Sequence, residues 1–236
     1  MSLDNYYCTK YAIAYIDLLG IKEEINTNQD GCLKNMAKIL FFADEIRRRG
    51  TNFKFFNNMK TKAFSDNIVF AIEVTDEINT ETALMGVILA AYFFQRMLIQ
   101  ECHYLSRGAV TVGDLYIDDD IVWGKGLVRA YQLESSIAIF PRVILDSEII
   151  PEIDLSVLSE ENKTLLLYIQ PDFDKNFYVD FARVGEDETE KFLNDLAKTC
   201  LERYKIDDKV IQKISWLERL IERNQEKLEN KKALCQ

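Results

Sequence analysis

The chain has 236 residues, of which 48% are hydrophobic and 11% aromatic, enough for one sizeable core and too many for a largely disordered protein. Its formal net charge of −10 argues against a broad nucleic-acid or membrane-binding surface. The five cysteines are scattered without a Cys-x-x-Cys pair, and we recognise neither a secretory leader nor a membrane span. We therefore expect a cytoplasmic protein with reduced thiols and with no nucleic-acid or membrane partner.

Hydrophobic patterning predicts alternating strands and helices over most of the chain. In chain order the predicted elements are a strand at 11–17, a helix at 31–49, a hairpin of strands at 62–64 and 68–74, a helix at 80–104, a hairpin at 106–112 and 115–117, a helix at 126–137, a strand at 142–145, and a hairpin at 165–170 and 177–181. This order predicts an α+β fold in which a mostly antiparallel sheet carries helices packed on one face.

The composition changes near Glu186, after which almost every residue reads as helix. We therefore predict a first domain at 1–185 and a C-terminal helical extension at 186–236. The extension has an apolar stripe at alternating four- and three-residue steps, formed by Val210, Ile214, Leu217, Ile221, Asn224 and Leu228. Such a stripe either packs against its own domain or forms a coiled-coil-like contact with a second subunit.

Two aspartates lie within apolar runs and are the strongest candidates for a site. Asp17 ends the first predicted strand, and Asp66 lies in the turn of the hairpin that follows the first helix. A buried carboxylate is costly unless it is paired, and two carboxylates with backbone carbonyls suit Mg²⁺ or Mn²⁺. A simpler interpretation is that Asp17 caps a helix and Asp66 is an ordinary turn residue.

Five segments resemble, in order, the motifs of the class III nucleotidyl cyclase catalytic domain. Among these segments, Asp17 and Asp66 match the two metal motifs, and Arg107 lies directly before Gly108 in the segment that resembles the family's Arg-x-Gly strand. The pattern is most similar to the pyrimidine cyclases of bacterial Pycsar antiphage systems. The matching segments are 15–21, 64–69, 106–114, 124–134 and 142–147.

The resemblance implies a ferredoxin-like core and a homodimer with a shared active site. It also implies a phosphorus-oxygen lyase that converts a nucleoside triphosphate, UTP or CTP by preference, to a 3′,5′-cyclic nucleotide and pyrophosphate, as a second messenger in antiphage defence. Two Mn²⁺ or Mg²⁺ ions would be held by Asp17 and Asp66, assisted by carbonyl groups of Ile16 and Leu18.

Further residues are candidates for contact with the nucleotide. Arg107 would meet the triphosphate or the base and is the third candidate catalytic residue, beside the two aspartates. The loop after Asp17 can lead into a helix whose first N–H groups receive a phosphate. The remaining nucleotide-binding candidates are Tyr15, Leu18, Leu19, Gly20 and Arg129.

Two positions depart from the motif of the predicted interface helix. Val128 stands where the family has an asparagine that orients the ribose, and Gln132 stands where it has an arginine for the transition state. An alternative function is therefore a catalytically inactive sensor or scaffold that keeps the cyclase fold and binds nucleotide. A third is a palm-type polymerase that joins nucleotides into cyclic oligomers.

Overall fold

The computed structural model describes residues 6–49, 54–152, 167–183, 189–203 and 208–234. The strands are β1 (Thr9–Leu18), β2 (Met59–Phe64), β3 (Asn67–Glu73), β4 (Ser106–Ile117), β5 (Val122–Trp123), β6 (Val143–Leu145), β7 (Ile169–Pro171) and β8 (Phe177–Val179). The helices are α1 (Ile21–Arg49), α2 (Lys54–Asn57), α3 (Thr80–Met97), α4 (Lys125–Ser136), α5 (Thr189–Arg203) and α6 (Asp208–Leu234). A π-helical turn (Leu98–Cys102) extends α3, and a 3₁₀ turn (Ile150–Glu152) follows β6.

The strands form a mixed sheet in the order β2-β3-β1-β4-β6-β8-β7, with β5 paired to β4 outside this path. Every pair is antiparallel except β4 and β6, which are parallel. Strands β1 to β4, with α1 and α3 as their crossovers, have the order and connectivity of a ferredoxin-like core. The predicted α+β fold with a mostly antiparallel sheet is therefore confirmed.

The two faces of the sheet carry different helices. Alternate residues of β1 point to opposite faces, so Ala12 and Ile16 join the large core with α1 and α3. Ile13 and Tyr15 join a smaller core that includes Ala130 of α4. The prediction of helices on one face thus holds for α1 and α3, whereas α4 covers the opposite face.

The predicted hairpin at 106–117 is a single strand, β4, that runs through Gly113. Gly113 is required for a close approach between elements, because a Cβ atom there would lie 2.8 Å from the Cα of Gly126 in α4. The first helix begins at Ile21, ten residues before the predicted start, and bends at Asn28. Ala43 of this helix is buried, whereas Leu33 is 68% exposed.

The C-terminal helices pack on the same core as the sheet. Phe192 of α5 and Leu217 of α6 belong to the large core, and both are fully buried. The apolar stripe therefore packs against its own chain at Leu217, Ile221 and Asn224, whereas the side chain of Val210 lies outside the described residues. The boundary between 185 and 186 also falls outside them and remains a prediction.

One helical stretch, Thr80–Cys102, is long and apolar enough to cross a membrane by length and composition. Within it, 78% of the most apolar window is buried inside the protein. The stretch comprises α3 and its π-helical turn, and it packs against β1 and β3 as a core helix.

Candidate active site

The pairing of β1 with its neighbours brings the two candidate aspartates to one end of the sheet. Asp17 lies opposite Asn67 of β3 on one side and opposite Arg107 of β4 on the other. Asp66 lies in the two-residue loop between β2 and β3, directly before Asn67, and its carbonyl accepts a hydrogen bond of 2.9 Å from the Leu18 N–H. Two residues 49 positions apart in the chain are therefore neighbours in the folded protein.

The guanidinium of Arg107 bridges two carboxylates. Its Nε lies 3.2 Å from Oδ2 of Asp17, and its Nη2 lies 2.6 Å from Oε1 of Glu134 in α4. The Glu134 side chain is only 4% exposed, so α4 brings this acid over the end of the sheet from the opposite layer. The site thus contains two carboxylates, from Asp17 and Glu134, that share one arginine, and the Asp66 carboxylate is close enough for its charge to act on both acids.

The proximity of these acids changes their proton affinities. Burial raises the pKa of Asp17, Arg107 acts against this rise, and the charge of Asp66 adds to it. Burial also raises the pKa of Glu134 to about 7, where the neutral form is further favoured by a hydrogen bond and by negative charge from Asp17. The site therefore holds more negative charge than its single arginine neutralises.

Tyr15 supports the Asp66 side of the site. Its hydroxyl donates a hydrogen bond of 2.6 Å to Oδ1 of Asn67, whose amide in turn lies 3.2 Å from Oδ1 of Asp66. The Tyr15 ring lies between Phe64 and Tyr131, with ring centroids 6.2 Å away in each case. Burial and the nearby carboxylates raise the pKa of Tyr15, so its hydroxyl remains a proton donor at neutral pH.

The loop after Asp17 leads into the first turn of α1, as the sequence predicts. The N–H of Leu18 is bonded to the Asp66 carbonyl, and the N–H of Leu19 donates to the Leu105 carbonyl at 2.9 Å. Gly20 has a φ of 86°, which favours glycine and turns the chain into the helix. A phosphate at this helix terminus would therefore meet N–H groups from Gly20 onward.

Arg129 and the two motif departures lie on other parts of α4. The guanidinium of Arg129 forms two hydrogen bonds with the buried Asp146, at 2.8 and 2.7 Å, and this contact ties α4 to the end of β6. Val128 is 55% exposed, and Val128, Arg129 and Gln132 all line a groove of about 760 Å³ beside Trp123. Among the described residues, the ion-pair partner of Asp17 is therefore Arg107 and not Arg129.

Sequence reasoning assigned no chemical role to Glu134, which it used only as part of a motif. Its position in the helix could have indicated a role, because Glu134 is a charged residue on a helix face that is otherwise small or apolar. Gly126, Ala130 and Leu133 are the other buried residues of α4. Among the described residues, no group of three or more acidic, histidine or cysteine side chains has the arrangement of a ready metal cage.

No protein-family model matches the chain, and no curated protein matches it either. Among solved structures, the chain is similar to the catalytic core of a rhodopsin-guanylyl cyclase with converted specificity in complex with ATPalphaS. The identity is 11% and the TM-score is 0.45, and the match covers 74% of this chain and 96% of that one. It is similar to the guanylyl cyclase Cya2 at 12% identity and a TM-score of 0.45, over 76% and 95% of the two chains.

A third similar structure is a class III adenylyl cyclase-like ATP-binding protein from Pseudomonas aeruginosa. The identity is 12% and the TM-score 0.43, over 94% of this chain and 44% of that one. These likenesses are distant, and by themselves they assign neither a family nor an activity to this chain.

Proposed function

We propose that this protein is a divalent-metal-dependent nucleotidyl cyclase. The observation that carries the proposal is the placement of Asp17 and Asp66 side by side at one end of a ferredoxin-like sheet. The five cyclase-like motifs, which occur in order along the sequence, support the same conclusion. The negative charge of Asp66 adds to that of the two carboxylates that share Arg107, and a bound cation would offset it.

The residues fit one or two hard cations. Asp17 and Asp66 would hold the ions, since carboxylate oxygens are the ligands that Mg²⁺ and Mn²⁺ prefer, and the carbonyl groups of Ile16 and Leu18 are further candidates. Burial is the main cause of the raised Asp17 pKa, and the negative charge of Asp66 raises it further. A bound cation would offset that negative charge. When bound, such ions polarise the α-phosphate and lower the pKa of the attacking hydroxyl.

The protein's own groups would position the triphosphate. The N–H groups at the start of α1, from Gly20 onward, favour a phosphate, and the charge of Lys22 acts on the same region. Arg107 would exchange its contacts with carboxylates for a phosphate oxygen or the base. Tyr15 is only 4% exposed, so its nucleotide-binding role would be indirect, whereas its ring neighbours Phe64 and Tyr131 are exposed and offer a surface on which a base can stack.

The reaction forms a bond between the 3′-oxygen and the α-phosphorus of the same nucleotide and breaks the bond from that phosphorus to the bridging oxygen. Pyrophosphate leaves with the electron pair, and the 3′-hydroxyl loses a proton. Glu134, which pairs with Arg107 beside Asp17, would be the candidate acceptor of this proton. Most of the rate enhancement would come from positioning and charge neutralisation.

The finer parts of the proposal follow the motif resemblance. We propose UTP or CTP as the substrate, a cytoplasmic homodimer with a shared active site, and a second-messenger role in antiphage defence. Trp123, Val128 and Tyr131 are each more than half exposed on the α4 side of the molecule, which supports a subunit contact there. Measurement of cyclic UMP and cyclic CMP in phage-infected cells that carry this protein tests the signalling role.

The direct experiment incubates the purified protein with each of the four nucleoside triphosphates and Mn²⁺, and identifies products by mass. We expect a 3′,5′-cyclic nucleotide and pyrophosphate in equal amounts, and no product from Asp17→Asn. A linear or cyclic oligonucleotide would instead indicate a polymerase. Equal turnover by the Asp17 variant would contradict the proposed role of the aspartates.

A second candidate function is a nucleotide sensor without turnover. It is favoured by Val128 and Gln132 at positions where cyclases have asparagine and arginine, and by the engagement of Arg129 with Asp146. Calorimetry separates the two functions, because a sensor binds a nucleoside triphosphate in the presence of Mn²⁺ and leaves it intact.

A further inference from the structure

A cavity of about 280 Å³ lies between the β7–β8 hairpin and helix α6, on elements other than those that carry Asp17 and Asp66. Three aromatic side chains line it, from Phe173, Tyr178 and Trp216. The Tyr178 and Trp216 rings meet edge to face with centroids 5.6 Å apart, and Phe173 is 65% exposed at the mouth. Tyr178 and Trp216 are buried, so the cavity offers a planar ring the exposed face of Phe173 and an apolar wall behind it.

A buried arginine behind the cavity pairs with Asp172, one of the lining residues. Arg142 is fully buried and forms ion pairs with Asp172 and Asp174 of the hairpin. Trp216 Nε1 donates a hydrogen bond of 2.7 Å to Oδ2 of Asp172. Because Arg142 and Trp216 both engage the Asp172 carboxylate, this acid contributes little free negative charge to the cavity wall.

Two further arginines, Arg219 and Arg223, line the cavity one helical turn apart on α6. Arg223 donates to the Tyr178 hydroxyl and is close to Asp180, but its buried Nε has no hydrogen-bond partner among the described residues. Arg219 is exposed and lies over the Phe173 ring at 5.6 Å, and within the described ranges it forms no ion pair. Lys227 continues this row of cations, although like charges four residues apart repel one another.

We propose that this cavity binds a small anion that carries a planar aromatic ring, of the class of nucleoside monophosphates. The ring would lie against Phe173 and the accessible edge of Trp216, and the phosphate would pair with the exposed guanidinium of Arg219, beside the charge of Arg223. The volume suits a ligand of this size, and the lining holds two arginines and one aspartate in a protein with a net charge of −10. This site is separate from the proposed cyclase site and does not depend on its activity.

Tryptophan fluorescence can report binding at this cavity. The chain has two tryptophans, so Trp123→Phe leaves Trp216 as the only reporter. The full chain with Trp123→Phe and Asp17→Asn is titrated, in EDTA, with UMP, AMP, uridine and inorganic phosphate. We expect saturable fluorescence changes with UMP and AMP, and weaker binding of uridine and of phosphate, because each of these lacks one of the two recognised groups.

The charge contribution is tested with Arg219→Glu, which changes an exposed side chain. We expect it to weaken monophosphate binding by at least about tenfold, the equivalent of one charge-assisted contact. Lys231→Glu is the matched control, since it makes the same charge change on the same helix outside the cavity, and it should leave affinity unchanged. No saturable signal at millimolar monophosphate, phosphate binding as tight as UMP binding, or equal effects of the two variants would each overturn the proposal.

Discussion

Substitution of Glu134 by glutamine should stabilise the protein at high pH. The acid has a pKa of about 7 in the folded state, against an ordinary value of 4.5. The folded state therefore binds more protons than the unfolded state between these two values. Stability is lost as the pH rises through this window, because the acid must then ionise in a buried and negatively charged site. Glutamine never ionises and avoids this loss.

The magnitude follows from the two pKa values. One pKa unit corresponds to about 1.4 kcal/mol, so ionisation of Glu134 costs at most about 3 kcal/mol of folding free energy. Solvent reaches the neighbouring Arg107 and Asp17, which are 25% and 17% exposed, and it screens part of this cost. We expect Glu134→Gln to raise the free energy of unfolding by about 1–2 kcal/mol above pH 7, and to have little effect below pH 4.5.

The assay is urea denaturation of both proteins in EDTA at several pH values between 4 and 8.5. Glu23→Gln serves as the control, because it makes the same change at an exposed position in the first turn of α1. A stability difference that does not vary with pH would refute the reasoning. So would a variant that becomes less stable than the wild type as the pH rises.

Three other substitutions test the packing around the two sites. Arg142→Met leaves Asp172 and Asp174 facing an uncharged side chain, and should lower the free energy of unfolding by about 3–5 kcal/mol in urea; a loss under 1 kcal/mol would contradict the buried ion pairs. Gly108→Ala would bring a Cβ atom to 2.1 Å from the Tyr15 carbonyl oxygen, so we expect a lower melting temperature and lost activity, and an unchanged melting temperature would contradict this contact. Tyr15→Phe removes one hydrogen bond, worth about 1 kcal/mol, and should weaken Mn²⁺ binding in calorimetry; unchanged binding would exclude a role for that hydroxyl.

The sheet and its crossovers were largely predictable from sequence, because their strands are continuous apolar runs with clear turn signals. The sequence also predicts Asp17 near the end of a strand and Asp66 in a hairpin turn, and both residues occupy these positions in the structure. A turn was wrongly predicted in the middle of β4, because Gly113 and Asp114 are typical turn residues. Only the tertiary contact with Gly126 explains why a glycine lies inside that strand.

The contacts of the candidate site were less predictable. The pairing of Arg107 with Glu134 depends on the layer in which α4 lies, and periodicity gives the apolar face of a helix without naming the sheet face that it covers. The heptad-like spacing of the C-terminal stripe predicts equally a helix that packs on its own domain and one that contacts a second subunit. In the structure, Leu217 and Asn224 are buried within their own chain. The arginine-lined cavity joins residues from a distant hairpin and helix, and no local pattern indicates it.

The most direct test measures Mn²⁺ affinity by calorimetry for the wild type, Asp17→Asn, Asp66→Asn and the double variant. If the two carboxylates hold the same ion or ion pair, each single change should weaken binding by at least about tenfold, and the double variant should lose much less than the product of the two single losses. Wild-type affinity in either single variant, or losses that multiply as for independent positions, would contradict a shared metal site.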